Sequence, residues 1–298
     1  MRLFSGFILC AFLFFFSAEN GQAAPDVSAA QAILMDAESG HVLFEKDAYE
    51  ARPIASITKI MTAILAIESG KMDEETIISR NAIYTEGSSI YLEQGEKMKI
   101  QDLVYGLMLR SGNDAAVAIA EHIGESEEGF VYLMNEKAKW LGMNQTNFTN
   151  PHGLDNEEHY SSAYDMAILT KDAMRNKEFQ EISGSTSYLS ESRSYSWQNK
   201  HKLVTGYYTK ATGGKTGYTR RTGRTLVTTA EENGHSLIVV TLDAGNDWND
   251  HIALFEWGFE KLTEESLEKE TDVKETTGNS VRSFLSEFLR KVAGIQSW

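Results

Sequence analysis

The chain has 298 residues, 42% hydrophobic and 24% charged, with 43 acidic against 28 basic side chains and a formal net charge of −15. That balance describes one or two folded domains with a proper core and excludes a disordered chain. The acidic excess argues against a nucleic-acid partner, and the seven histidines have no ligand-like spacing, so no metal and no cofactor are indicated.

In chain order, Arg2 is followed by the apolar run LFSGFILCAFLFFF and then by GQAA. This reads as a signal peptide over residues 1–23, with Gly21 and Ala23 placed for cleavage before Ala24. The run is short for a bilayer span. The protein is therefore expected to be exported. Its only cysteine, Cys10, lies inside the run, so the remaining chain has no disulfide, zinc–thiolate site or thiol nucleophile. QAILMDAESGHVLFEKDA predicts two strands around the turn Glu38-Ser39-Gly40. From Ser56 to about Asn176 the pattern is mostly helical: TAILAIESG, IQDLVYGLML, DAAVAIAEHIG, EGFVYLMNEKAKWLG and SSAYDMAILTKDAMRN all carry apolar residues at helix spacing. TGRTLVTTAEENGHSLIVVTLDA predicts a hairpin about Glu232-Asn233-Gly234. DWNDHIALFEWGFEKL predicts an amphipathic helix with Ile252, Phe255 and Phe259 on one face. The expected fold class is α/β (α+β): an antiparallel sheet built from both ends of the domain, flanked by helices, with an inserted all-helical lobe.

The folded domain is placed at 24–262. Residues 263–279, TEESLEKETDVKETTGN, read as an acidic linker. Residues 280–298 set Val281, Phe284, Leu285, Phe288, Leu289, Val292 and Ile295 on one helical face, which predicts an amphipathic helix in peripheral membrane contact; docking on the domain or on a second copy is the alternative.

Ser56 and Lys59 stand three apart in the apolar stretch PIASITKIMTAILAI, so they are neighbours on a helix. Burial lowers a lysine's pKa and lets it accept a proton from the serine. A helix-capping serine beside a lysine whose stem snorkels to water accounts for the same pair equally well. The spacing alone is cheap, since Ser266-Leu267-Glu268-Lys269 repeats it in the acidic linker. Two further stretches add weight. Ser111-Gly112-Asn113 separates two apolar helices, although Ser79-Arg80-Asn81 also fits S-x-N. Lys215-Thr216-Gly217 occurs once, beside strand-like sequence, where glycine permits close approach of a ligand.

S-x-x-K, then S-x-N 55 residues on (56 to 111), then K-T-G a further 104 residues on (111 to 215), is the motif set of penicillin-binding proteins and β-lactamases. From about Ala30 to Leu262 the sequence resembles the serine D-alanyl-D-alanine carboxypeptidases, the low-molecular-mass penicillin-binding proteins, including GSSIYLEQGE, SGNDAAVAIAEHIG, NFTNPHGLD and GGKTGYTRRTGRTLV. The resemblance implies the DD-peptidase/β-lactamase-like transpeptidase fold. It implies removal of the terminal D-Ala from peptidoglycan stem peptides through an acyl-enzyme that β-lactam antibiotics trap. It implies work on the extracytoplasmic face of the bacterial membrane or in the cell wall. It further implies Ser56 as nucleophile, Lys59 as general base and Ser111 as proton relay to the leaving D-Ala. Asn113, Lys215 and Thr216 would hold substrate, and Gly217 would lie in the binding strand. The backbone N–H groups of Ser56 and Tyr218 would form the oxyanion hole. One of Arg220, Arg221 and Arg224 is expected to reach the substrate carboxylate, and His152 is read as a structural histidine. Many such proteins carry a β-rich second domain before the terminal helix, and the chain has only the short linker there. His201 stands where asparagine is expected. A DD-endopeptidase is the alternative reading. A class A β-lactamase fits less well, because S-G-N replaces the usual S-D-N and no E-x-x-L-N loop is found.

Overall fold

The computed structural model describes residues 23–267. Strand β1 (Gln31–Asp36) turns through Gly40, at φ +82°, into β2 (Val42–Lys46), as the sequence predicts. The chain then enters a lobe: a tight 3₁₀ turn Ala55–Thr58, helix α1 (Lys59–Glu68), strand β3 (Glu75–Ile77), helix α2 (Arg80–Ile83), strand β4 (Lys97–Lys99), helix α3 (Ile100–Tyr105), a π-helical turn Gly106–Arg110, and helices α4 (Asn113–Gly124), α5 (Glu127–Leu141), α6 (Ala163–Ala173) and α7 (Lys177–Gly184). A small ladder of β5 (Ser187–Tyr188) and β6 (Trp197–Gln198) follows. Strands β7 (Ala211–Thr219), β8 (Gly223–Glu232) and β9 (His235–Leu242) complete the main sheet, and helix α8 occupies residues 247–267.

The main sheet is antiparallel in the order β2-β1-β9-β8-β7. The first and last thirds of the domain thus pair at β1–β9, and β7 is an edge strand. Side chains alternate across the sheet with period two. Ile33, Met35, Val227, Ile238 and Val240 face the helical lobe and join its core. Ala32, Leu34, Ala230, Leu237 and Val239 face the other way and pack with Leu254, Phe255 and Phe259 of α8. Both faces are covered, which is why β1 and β9 read as nearly continuous apolar runs. Helix α1 is apolar all round because it is the centre of the lobe, with Lys59 to Ile64 all buried.

Two expectations need correction. The lobe is not all-helical: β3 and β4 form a two-stranded ladder within it. Its strands are three residues each, and Glu75, Ile77 and Lys97 are exposed, too short and too solvated to leave an alternating apolar signature. Helix α8 continues through 263–267, where the acidic linker was set to begin. Thr263 Oγ1 donates to the Phe259 carbonyl and Ser266 Oγ to the Leu262 carbonyl within the same helix. The rest of the linker and the amphipathic segment 280–298 lie outside the described residues, as does the signal segment up to residue 22.

Candidate active site

The 3₁₀ turn settles what Ser56 is doing at the start of an apolar helix. The N-cap of the turn is Ile54 and that of α1 is Thr58, and neither has a side-chain cap; Ser56 lies inside the turn and caps nothing. Lys59 does not snorkel: it is 0% exposed. Its Nζ lies 3.0 Å from Ser56 Oγ, 2.7 Å from Asn113 Oδ1 and 2.5 Å from the His152 carbonyl oxygen. Two of these partners are acceptors only. A neutral lysine has two N–H bonds and one lone pair. In the neutral form, with both N–H bonds given to Asn113 and His152, the lone pair would be left for the Ser56 hydroxyl. Burial first, then the positive charges of Lys215 and Lys200, push the Lys59 pKa well below its ordinary value.

The turn itself is held from behind. Thr149 N–H donates to His159 Nδ1 at 3.1 Å, so Nε2 carries the ring proton. That leaves Nε2–H to donate to Thr58 Oγ1 at 2.8 Å, and Thr58 Oγ1–H to donate to the Ala55 carbonyl at 2.8 Å. Ala55, immediately before the serine, takes φ +50°, a left-handed conformation costing roughly 1–2 kcal/mol in a non-glycine residue. Gly153, at φ +85°, packs directly against the Ala55 carbonyl, where a Cβ would collide. The His152–Gly153 loop therefore supports both the serine turn and, through the His152 carbonyl, the lysine. The His152 ring is buried and its pKa is lowered to about 3 by burial and by Lys59; it is the backbone of His152 that touches the site.

Ser111 follows the π-helical turn and sits in the left-handed region at φ 66°, ψ 33°. Such turns recur at functional positions. The turn is propped by Tyr105 stacked on Tyr188 at 3.6 Å, with Trp197 beyond. Lys215 Nζ donates to Ser111 Oγ at 3.1 Å and to the Thr216 carbonyl at 2.9 Å. Burial, and secondarily the charge of Lys200, lower Lys215 to about 7. Asn113 heads α4, and its amide also donates to the Glu86 carbonyl at 2.6 Å. The neighbouring Asp114 accepts from Ser89 Oγ and from the backbone N–H groups of Ile90 and Leu92, fixing the loop that brings Ser88 to the cleft.

Strand β7 crosses in front of Ser56. A Cβ on Gly217 would lie 2.9 Å from Ser56 N and 3.1 Å from Ile57 N, so only glycine lets the edge strand come this close. The space between is a cleft of about 520 Å³ lined by Ser56, Ser111, Thr216, Gly217 and Tyr218, together with Ser88, Lys200, Arg224, Asp247 and Trp248. Of the three arginines after K-T-G, Arg224 lines it, ion-paired with Asp247 at 3.3 Å; Arg220 and Arg221 are exposed. The two decoy motifs stay apart. Ser79 caps α2 through Ala82 N–H, and Ser266 is exposed on α8. Lys200, Asp247 and Trp248 were not anticipated, nor were Thr58 and His159. Among the described residues no group of three or more His, Cys, Asp and Glu is placed to hold a metal ion.

The family description "D-alanyl-D-alanine carboxypeptidase" matches residues 18–246. The chain belongs to the D-alanyl-D-alanine carboxypeptidase family. Within it, the chain is 38% identical over 239 residues to the D-alanyl-D-alanine carboxypeptidase DacF of Bacillus subtilis; the match covers 77% of this chain but 61% of that relative, less than two thirds of its length. Among solved structures, a D-alanyl-D-alanine carboxypeptidase from Mycobacterium tuberculosis superposes with a TM-score of 0.77 at 30% identity, over 81% of this chain and 95% of that one. Penicillin binding protein 6B from Escherichia coli gives 0.74 at 30% identity, over 80% of each chain. The fold of this carboxypeptidase family, an antiparallel sheet with helices on both faces, is the one seen here.

Proposed function

We propose that this chain is a serine D-alanyl-D-alanine carboxypeptidase that removes the terminal D-Ala from peptidoglycan stem pentapeptides, in keeping with the named activity of its relatives. The observation that carries the reading is the placement of Lys59, fully buried with Nζ 3.0 Å from Ser56 Oγ and within hydrogen-bond reach of two acceptors, Asn113 Oδ1 and the His152 carbonyl. Ser56 attacks the carbonyl of the penultimate D-Ala while Lys59 takes the hydroxyl proton. The backbone N–H groups of Ser56 and Tyr218 receive the oxyanion. The C–N bond then breaks as the proton taken up by Lys59 is relayed through the Ser111 hydroxyl to the departing amine, which returns Lys59 to its neutral form and leaves Ser111 and Lys215 as they were. Thr216 holds the terminal carboxylate, with Lys215, Lys200 and Arg224 adding positive potential. The substrate backbone pairs with the free edge of β7. Water releases the acyl group. Among the described residues lining the cleft the only carboxylate is Asp247, already paired with Arg224. That leaves no free carboxylate base beside the serine to speed hydrolysis of a penicilloyl ester. Incubation with penicillin is expected to give a stable mass adduct, and a pentapeptide is expected to release free D-Ala; Ser56→Ala abolishes both. Rapid penicillin turnover, or no adduct, would overturn the reading.

Export by residues 1–23, and peripheral attachment to the outer face of the cytoplasmic membrane by residues 280–298, complete the proposal. Their support is the sequence pattern of those segments. Among the described residues no helix is long and apolar enough to cross a membrane. Deleting 280–298 is expected to move the protein from the membrane to the soluble fraction with D-Ala release intact; unchanged fractionation would refute the attachment.

A further inference from the structure

Strand alternation divides the walls of the cleft between two faces of the sheet. Lys215 and Gly217 turn towards the lobe, where Lys215 meets Ser111 and Gly217 meets the Ser56 turn. Thr225 on the neighbouring strand also points to the lobe, donating to the Ile54 carbonyl at 2.9 Å. Thr216 and Tyr218 therefore face the opposite side, and so does Arg224, which is directly across from Tyr218 in the β7–β8 register. What stands on that side is the first turn of α8, with Asp247 and Trp248 in the cleft wall. A residue whose carboxylate is held by the Thr216 hydroxyl is thus set against Trp248.

The indole is not free to swing away. Trp248 is half-buried against the core beneath α8. Its ring meets His201 edge-on at 5.4 Å and 72°. His201 is fully buried and doubly held: Val204 N–H donates to its Nδ1 at 3.4 Å, so its Nε2–H donates to the Val227 carbonyl at 3.0 Å. On the other flank Asp247 Oδ1 accepts from the Trp248 backbone N–H at 3.0 Å and from Arg224 at 3.3 Å. A buried histidine and a buried carboxylate fix the rim from both sides, and a rigid aromatic wall discriminates by size.

We propose that Trp248 sets the size of the residue that is released, admitting a terminal D-Ala and rejecting bulkier leaving groups, including the second stem peptide of a cross-link. The proposal rests on the carboxypeptidase reading and gives it a specificity: exopeptidase over endopeptidase. The reaction is unchanged; only the room for the departing amine's substituent differs.

The test compares kcat/KM for two peptides differing only in the last residue, one ending D-Ala-D-Ala and one D-Ala-D-Leu, in the wild-type chain and in Trp248→Ala and Trp248→Leu. Penicillin adduct formation on Ser56 reports that each variant is folded and acylates. The wild type is expected to prefer D-Ala. Trp248→Ala is expected to shift the ratio towards D-Leu by about tenfold or more, the usual scale for a few methylenes in an apolar pocket, with Trp248→Leu between. It is also expected to gain cleavage of a cross-linked dimer. An unchanged ratio in variants that still form the adduct would remove the wall and leave the carboxypeptidase reading standing. A wild type that forms the adduct but releases neither terminal residue would overturn that reading and the wall with it.

Discussion

In the proposed mechanism two buried lysines beside the cleft have opposite duties, and that fixes the sign of the expected pH response. Lys59 would act as the free base, so acylation of Ser56 falls as pH drops and Lys59 gains a proton. Its pKa is already pushed well below the ordinary lysine range by burial and by Lys215 and Lys200, which extends the active range towards acid. Lys215 works as the cation, and burial together with Lys200 lowers it to about 7; substrate capture therefore weakens as pH rises through that value. The second-order rate of penicillin acylation is expected to be bell-shaped in pH, with Lys59 on the acid limb and Lys215 on the alkaline limb. Lys215→Arg, whose guanidinium stays charged, is expected to move the alkaline limb up and leave the acid limb in place. An alkaline limb that does not move would assign it to another group. Ser56 and Lys59 could be singled out in the sequence only in company: the pair alone fits a cap and a snorkelling lysine equally well, and S-x-N at Ser111 and K-T-G at Lys215, at family spacing, tip the reading. The support behind the pair was not legible. His159 reaches Thr58 across 101 residues of chain, and the group that orients Lys59 at His152 is a carbonyl, which every residue has.

At the scale of elements, the catalytic geometry depends on how closely an edge strand approaches a helical turn. Gly217→Ala would place a methyl against Thr225 Oγ1 on the neighbouring strand, 2.9 Å from Ser56 N and 3.1 Å from Ile57 N, the last two atoms of a backbone that cannot rotate aside. Either β7 or the serine turn must shift, at a stability cost of about 1–3 kcal/mol. Penicillin acylation is expected to fall at least about a hundredfold, the scale attached to an ångström-sized misplacement. Gly70→Ala is the matched control: φ is +71° but no atom lies within 4 Å. It is expected to cost about 1 kcal/mol of backbone strain and to acylate at the wild-type rate. Equal rates in both variants would show that strand approach does not matter. The same contrast accounts for which elements could be read in advance. The β8–β9 hairpin announces itself through Asn233 and Gly234, both at positive φ. Helix α5 announces itself through the capping Ser126 and the terminal Gly142. Strands β3 and β4 have no such marks, because pairing with each other, and not their own patterning, holds them; helix α2 has a capping Ser79 but is only four residues long. Strand β7 carries three glycines in nine residues, against strand propensity, since close approach to Ser56 at Gly217 outweighs it.

Across the whole molecule, the sheet order and what lies between the sheet and α8 decide stability, and neither follows from local pattern. The sequence implied that both ends of the domain share a sheet; it did not imply that His201 and His251 would meet across Thr228 beneath it. Four histidines are buried and held neutral: burial, with nearby positive charge, lowers His201 and His159 to about 4 and His152 to about 3, and lowers His251 well below its ordinary value. In the unfolded chain each titrates near about 6.5. Between those values the unfolded state binds protons that the folded state refuses, so stability is complete above about 6.5 and is lost as pH falls towards about 4. Each such histidine contributes a slope of up to about 1.4 kcal/mol per pH unit between its two pKa values. The urea midpoint is therefore expected to fall steeply with acid. His201→Asn supplies a test, because an amide keeps an N–H donor for the Val227 carbonyl but takes up no proton. The variant is expected to lose stability with a shallower pH slope than the wild type, by about one proton, and to ease the titration of His251, which His201 currently opposes. Parallel slopes would mean that the acid sensitivity lies in the carboxylates of this acidic chain and not in the histidines beneath its sheet.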